Sequence, residues 1–213
     1  MKNIKLTDGT DKSALSAEIA QVLKMGGLVC LPCGGRYRIL ADLFNEEAVI
    51  DLIQSKGRIH KAPSLVFVGS EAHLAQVAAA VHPLALKAAR AFWPKPLTLL
   101  VEPHADLPSI IGKQLAAEHG KIGVRVPAEP ILAAVIAALG RPLLVSSANK
   151  EKKHGETSPA QIRKNFATRV GLFIDRGDLA AEPLSTIIDI VDDQIVITRE
   201  GAVSADAIHA LSA

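Results

Sequence analysis

Short runs of Val, Ile and Leu alternate along this chain with segments whose apolar residues recur at helical spacing. That alternation is the strongest constraint on the fold, because it calls for helices packed on a buried sheet. Leu15, Ile19, Val22 and Leu23 share one helix face, and Gly26-Gly27 supplies the stop. Asn45 is a suitable N-cap, with Glu46 and Glu47 in the first turn, where the helix dipole favours anions. Further helices are expected from Ser70 to Val81, from Pro83 to just before Pro94, and over 131–139, 162–166 and 205–211. Strands are expected over 28–31, 65–68, 97–101, 122–126, 143–145, 172–174, 186–190 and 195–198. The class is therefore α/β with a mixed parallel and antiparallel sheet. A length of 213 residues suits one domain, and no repeat or linker breaks the chain.

Composition removes several functions. Lys and Arg number 24 against 22 Asp and Glu, so anion or nucleic-acid binding must come from a local cluster. Aromatics are 3% of residues, too few for a base-stacking platform along single strands. Hydrophobic residues reach 49%, which rules out disorder. The longest apolar run, 131–139, falls far short of the roughly 20 residues of a membrane span. The polar start Met1-Lys2-Asn3-Ile4-Lys5 is unlike a signal-peptide core, and two Cys make no disulfide framework, so a cytoplasmic protein is expected.

Several short motifs each admit two readings. Cys30-Leu31-Pro32-Cys33 has redox spacing, but strand alternation turns the thiols to opposite faces, and no His pair completes a zinc set. Gly34-Gly35 before Arg36-Tyr37-Arg38 is either an anion-facing loop or a turn, with neither a Walker nor a dinucleotide spacing. Lys56-Gly57-Arg58 follows a helix, where cations offset the dipole and Gly ends the element; they could equally face an anion. Ser146-Ser147-Ala148-Asn149 follows a buried strand, at the end where ligands of α/β sheets gather, or is a polar turn. Arg125 sits among apolar residues and needs an anionic partner if buried; Arg199 is similar, with Glu200 beside it. Ser185-Thr186 opens a strand.

Taken in order, these segments resemble the threonylcarbamoyl-adenylate synthase family, the YrdC-like proteins. The segments are Pro32 to Tyr37, Lys56 to Arg58, Phe92 to Thr98, Gly123 to Pro127, Ser147 to Asn149, Ser185 to Asp189 and Arg199 to Gly201. The resemblance runs from about Gly26 to Gly201 and is to the short form, so residues 1–213 are expected to make a single YrdC-like domain. It implies a twisted sheet around a large basic cavity. It also implies a nucleotidyltransferase that condenses L-threonine, bicarbonate and ATP into threonylcarbamoyl-AMP and releases pyrophosphate. Partner proteins of tRNA modification then pass the group to an adenosine beside the anticodon. By resemblance Lys56, Arg58, Ser147, Asn149 and Arg199 bind ATP, Lys56 and Arg58 being the catalytic pair, and Cys33, Arg125 and Ser185 bind the amino acid and its carbamate. Mg²⁺ accompanies ATP, bridging phosphates more than protein carboxylates. This assignment requires cationic and hydroxylic side chains to gather on one polyphosphate, whose charge of about −4 calls for positioning and charge stabilisation.

The chain departs from the family at one end of this set. The family usually reads Pro-Thr-acid-Thr-x-Tyr-Gly-Leu; here the order is Pro32-Cys33-Gly34-Gly35-Arg36-Tyr37-Arg38-Ile39. Lys95 stands for the usual Gly between two prolines, and Lys150-Glu151 for the usual Ser-Gly. Arg36 and Arg38 add positive charge, which suits a more anionic substrate or obstructs the site. Three functions follow: the synthase itself, a relative that adenylates or carbamoylates another substrate, or a non-catalytic binder of nucleotide or structured, double-stranded RNA.

Overall fold

The computed structural model describes residues 1–56, 65–111, 120–150 and 156–211. In chain order the elements are β1 (Lys2–Lys5), α1 (Lys12–Lys24), β2 (Leu28–Cys33), β3 (Arg36–Asp42), α2 (Glu46–Ser55) and β4 (Leu65–Phe67). A 3-10 turn (Glu71–His73), α3 (Leu74–Val77), α4 (Pro83–Phe92), β5 (Leu97–Val101), β6 (Ile122–Arg125), α5 (Pro130–Leu139) and β7 (Leu143–Ser147) follow. The chain closes with α6 (Pro159–Phe166), β8 (Val170–Asp175), β9 (Thr186–Val191), β10 (Gln194–Arg199) and α7 (Ala205–His209). The expected class holds: an open mixed sheet with helices.

Two compact units divide the chain, Met1–His60 with Ile131–Glu182, and Lys61–Pro130 with Pro183–Ala213. The first has strand order β1-β8-β2-β3-β7. β8 runs parallel to β1 and β2, while β3 is antiparallel to β2 and β7. β2 is almost wholly buried, as a continuous apolar run between covered faces requires. Asp11 and Asn45 cap α1 and α2, each side chain accepting backbone N–H groups of the first turn. The second unit has strand order β4-β6-β5-β9-β10. β4 is parallel to β6 and β5 to β9, whereas β5–β6 and β9–β10 are antiparallel.

Several local outcomes differ from the sequence reading; β1 (Lys2–Lys5) is a strand that the polar N-terminal sequence does not announce, and three others lie closer to the site. Arg36–Asp42 is a strand, although Gly34-Gly35 was read only as a loop or turn. Both glycines take left-handed φ values, 61 and 66, the geometry of a two-residue hairpin whose strand twist matches its neighbours. The helix expected over 70–81 is broken. Ser70 makes no side-chain cap, and at Ala78 the chain turns extended and bridges Pro103, so pairing outweighs the helix propensity of Ala78-Ala79-Ala80. The strand expected to end at Val145 continues through Ser146 and Ser147, because β3 pairs alongside it as far as Arg38↔Ser147.

The hairpin turn is pressed against residues 180–182. A Cβ on Gly35 would collide with the Ala180 carbonyl and lie 2.5 Å from the Glu182 nitrogen. Gly35→Ala is therefore expected to cost about 2 kcal/mol or more, from φ strain and overpacking together. Chemical denaturation measures this, and a change of a few tenths of a kcal/mol would contradict the packing.

Candidate active site

In the first unit the ammonium of Lys56 is the centre of a polar cluster. Lys56 caps the C-terminus of α2, its N–H reaching the Ile53 and Gln54 carbonyls, and only 2% of its surface is exposed. Its Nζ donates to the Ser147 carbonyl, the Asn149 carbonyl and, at 2.9 Å, Asn149 Oδ1. An ammonium has three protons, and these oxygens supply an acceptor for each. Ser147 Oγ donates to the same Asn149 Oδ1 at 2.5 Å. The Phe166 ring centre lies 6.0 Å from Nζ, within cation–π range. The bland reading of Lys56, a cation at a helix terminus, is thus true but incomplete. Its side chain also fixes the end of β7 and the two residues beyond it. Arg58 lies outside the described residues.

Tyr37 supports that cluster from β3. Its carbonyl accepts the Ala148 N–H at 2.9 Å, between Ser147 and Asn149, and its N–H donates to the Glu156 carbonyl at 2.6 Å. The buried phenol donates to the Gly177 carbonyl and accepts from the Arg176 N–H. Burial, more than any neighbour, pushes this phenol up to about 12, so it remains a donor at neutral pH. Its ring meets Phe173 edge-on with centroids 5.2 Å apart.

Cys33 ends β2 opposite Arg36 and is buried. Arg36 turns its guanidinium to the Glu182 carbonyl at 2.7 Å, with Glu156 Oε1 at 3.8 Å from its Nε. Its charge therefore meets protein oxygens. Cys30 is also buried, and neither cysteine is in a disulfide. Burial pushes the Cys30 thiol well above its ordinary value, the Lys56 charge offsetting only part of that effect.

The second unit gathers another set at its strand ends. Arg199, last residue of β10, donates to the Ser185 carbonyl from Nε (3.1 Å) and Nη2 (2.7 Å), and to Ser185 Oγ from Nη2 (3.0 Å). Thr98 Oγ1 of β5 donates to Ser185 Oγ at 3.0 Å. Arg125, paired with Phe67 across β6 and β4, lies with its guanidinium carbon 4.9 Å from the Phe67 ring centre. Burial first, and then the Arg125 charge, hold the Arg199 guanidinium below its ordinary value. Arg125, Ser185 and Thr98 are buried while Arg199 reaches the surface, so two neighbouring cations stand beside two hydroxyls at a solvent-accessible edge.

Of the residues singled out by sequence, Lys56, Ser147 and Asn149 meet in the first unit, and Arg125, Ser185 and Arg199 gather in the second. Sequence reading missed the aromatic floors under the cations, Phe166 and Phe67, and the roles of Thr98 and Tyr37. Thr98 and Tyr37 lie inside the ordered motifs; the two Phe carry no local signal.

Basic and hydroxylic side chains at strand ends of a mixed α/β fold stand where ligands of such folds gather. A family model for Sua5/YciO/YrdC, described as "Telomere recombination", matches residues 21–201. A Mycobacterium leprae protein, provisionally named a threonylcarbamoyl-AMP synthase, is 34% identical over 188 residues, 88% of this chain and 83% of that protein. The threonylcarbamoyl-AMP synthase of Pyrococcus abyssi is 29% identical over 190 residues, 89% of this chain but 55% of that protein. The solved structure of P. abyssi Sua5 complexed with L-threonine superimposes with a TM-score of 0.83 at 26% identity, covering 99% of this chain and 60% of that one. The chain thus spans little more than half of the Pyrococcus relative. It belongs to the Sua5/YciO/YrdC family.

Burial of both thiols leads to a direct check. A disulfide reagent at pH 8 should label neither Cys30 nor Cys33 in native protein and both after denaturation, since the thiolate is the reactive form. Rapid native labelling would restore the redox reading.

Proposed function

We propose that this chain is an ATP-dependent nucleotidyltransferase that makes threonylcarbamoyl-AMP from L-threonine, bicarbonate and ATP, for threonylcarbamoylation of tRNA. The observation that carries the reading is the Lys56 ammonium. Two family segments far apart in sequence meet on one buried nitrogen, bringing Ser147 and Asn149 to it. Relatives named threonylcarbamoyl-AMP synthase match most of this chain, which supports the same reading.

The chemistry asks for no protein nucleophile. Bicarbonate loses hydroxide as its C–OH bond breaks to give CO₂; the amine of threonine adds to it, forming a C–N bond, and the proton it loses leaves with that hydroxide as water, giving a carbamate. A carbamate oxygen then attacks the α-phosphorus; a new P–O bond forms, the α–β P–O bond breaks, and pyrophosphate leaves. What the protein must supply is position and positive charge. Lys56, whose three protons already have acceptors, serves ATP through its charge and by holding Ser147 and Asn149 in place, and Arg58 is assigned with them. By the family resemblance Arg199 is assigned to ATP, and Arg125 and Ser185 to the carboxylate and carbamate of the amino acid. Among the described residues, no group of three or more His, Cys, Asp or Glu is placed to hold a metal ion. Mg²⁺ enters this proposal as part of the ATP substrate, carried on its phosphates. No helix among the described residues is long and apolar enough to cross a membrane. Work in the cytoplasm, with tRNA and the proteins that complete its modification, fits the product's chemistry.

Pyrophosphate release with ATP and bicarbonate, measured with and without threonine, tests this directly. Threonine-dependent release is expected. Lys56→Ala, Arg58→Ala and Arg199→Ala should each raise the KM for ATP by roughly 10-fold or more, the cost of about 1.5–3 kcal/mol for a lost charge-assisted hydrogen bond. Unchanged KM in all three would refute the ATP assignment, and ATP or RNA binding without turnover would favour a non-catalytic binder.

A second reading rests on the hairpin. Cys33-Gly34-Gly35 stands where the family has Thr-acid-Thr, and Gly35 cannot carry a side chain against residues 180–182. An acceptor amine other than threonine is the corresponding function. Cys33→Thr alone, without a change at Gly35, should increase use of threonine if the segment touches the amino acid. Equal turnover with an unrelated amino acid would select the second reading.

A further inference from the structure

Arg199 owes its place to a bulge and a buried hydroxyl. Along β9–β10 the register runs Ile197↔Ile188 and then Arg199↔Ile187, so Thr198 is an extra residue. A bulge of this kind bends its strand and re-aims the side chain that follows. Beyond Arg199 the chain closes over the start of β9. The Ala202 N–H donates to the Leu184 carbonyl at 2.8 Å. A Cβ on Gly201 would collide with that same carbonyl, so the backbone there can approach only because Gly201 has no side chain.

Thr186 fixes this approach. It is fully buried, and its Oγ1 accepts the Gly201 N–H (3.0 Å) and the Val203 N–H (3.0 Å) while donating to the Val203 carbonyl (2.5 Å). A hydroxyl has one proton and two lone pairs, and all are committed here. Thr186 therefore has no capacity left for a substrate. Its own N–H donates to the Pro96 carbonyl at 2.9 Å, tying it to the start of β5. Ser185, the residue before it, carries the carbonyl and hydroxyl that receive the Arg199 guanidinium.

We propose that Thr186 is a positioning residue for the anionic substrate: its hydroxyl clasps the 201–203 segment so that Arg199 stands preset against Ser185. This rests on the assignment of Arg199 to ATP made above. With the clasp closed, protein groups alone hold the guanidinium on Ser185, and a charge fixed in this way favours a bound anion at low ordering cost.

The test is a double-mutant cycle on Mg-ATP binding, read by calorimetry, with thermal midpoints recorded in parallel. Thr186→Val should weaken ATP binding about 10-fold, and Thr186→Ser, which keeps the hydroxyl, should stay within about 2-fold of wild type. On an Arg199→Ala background, Thr186→Val should change ATP affinity by less than about 2-fold, because its effect passes through Arg199. A purely structural Thr186 would lower the thermal midpoint and leave ATP affinity unchanged, or would weaken binding equally on both backgrounds; either result overturns the proposal. Hydrogen exchange in wild type serves if Thr186→Val does not fold. The Gly201 and Val203 amides should be protected before ATP is added, and fast exchange there would show that no preset clasp exists. Absence of ATP binding in wild type would overturn the assigned ligand and this inference with it, whereas binding with an additive cycle would overturn the inference alone.

Discussion

A buried ammonium must be met by oxygen, and in this protein that demand shapes the first unit. Lys56 leaves the end of α2 and finds its partners at the end of β7. A cation taken from water without partners would cost several kcal/mol, so the Ser147 and Asn149 oxygens cannot drift away from it without penalty. Asn149 Oδ1 serves both Nζ and Ser147 Oγ, which couples the amide, the hydroxyl and the ammonium into one unit. Such a cluster keeps its charge and its dipoles oriented before any ligand is present. β3 completes the support, because the Tyr37 carbonyl holds Ala148, the residue between the two.

The second unit reaches preorganisation by a different route. Arg125 lies over the Phe67 ring, and Arg199 is held on the Ser185 carbonyl and hydroxyl. Carbonyls and rings orient a guanidinium without cancelling its charge, as an ion pair would. Elsewhere in the same unit, Arg90 with Glu71 and Lys121 with Asp189 do form ion pairs.

Much of this was legible in sequence, and for local reasons. Asn45, Pro83 and Gly26 mark helix ends through backbone chemistry that does not depend on tertiary context, and α1, α2 and α4 lie where they indicate. The failures are those in which a distant strand decides. The segment after Ser70 has helical composition, yet Ala78 pairs with Pro103 and the helix stops. β3 is hard to see because Gly34-Gly35 fits an anion loop or a plain turn as well as a hairpin, although two glycines between β-rich runs is also a hairpin signal. The site followed the same rule. Lys56, Ser147, Asn149, Arg125, Ser185 and Arg199 stood out as residue types in ordered segments. Their partners did not, because a carbonyl acceptor or a ring beneath a cation has no signature in the chain that carries it.

The hairpin shows how a sequence departure becomes a structural commitment. Replacing a threonine by glycine removes a hydroxyl, and alone it could be read as the loss of one substrate contact. Here Gly35 also takes a left-handed φ and lies so close to the Ala180 carbonyl and the Glu182 nitrogen that no side chain fits. Arg36, the next residue, then anchors the same 180–182 segment by donating to the Glu182 carbonyl. The two changes are therefore one feature: glycine admits the neighbouring segment and arginine ties it down. Reversing the glycine alone would leave the arginine pulling that segment into the space the new side chain needs, so the two positions have to be treated as coupled.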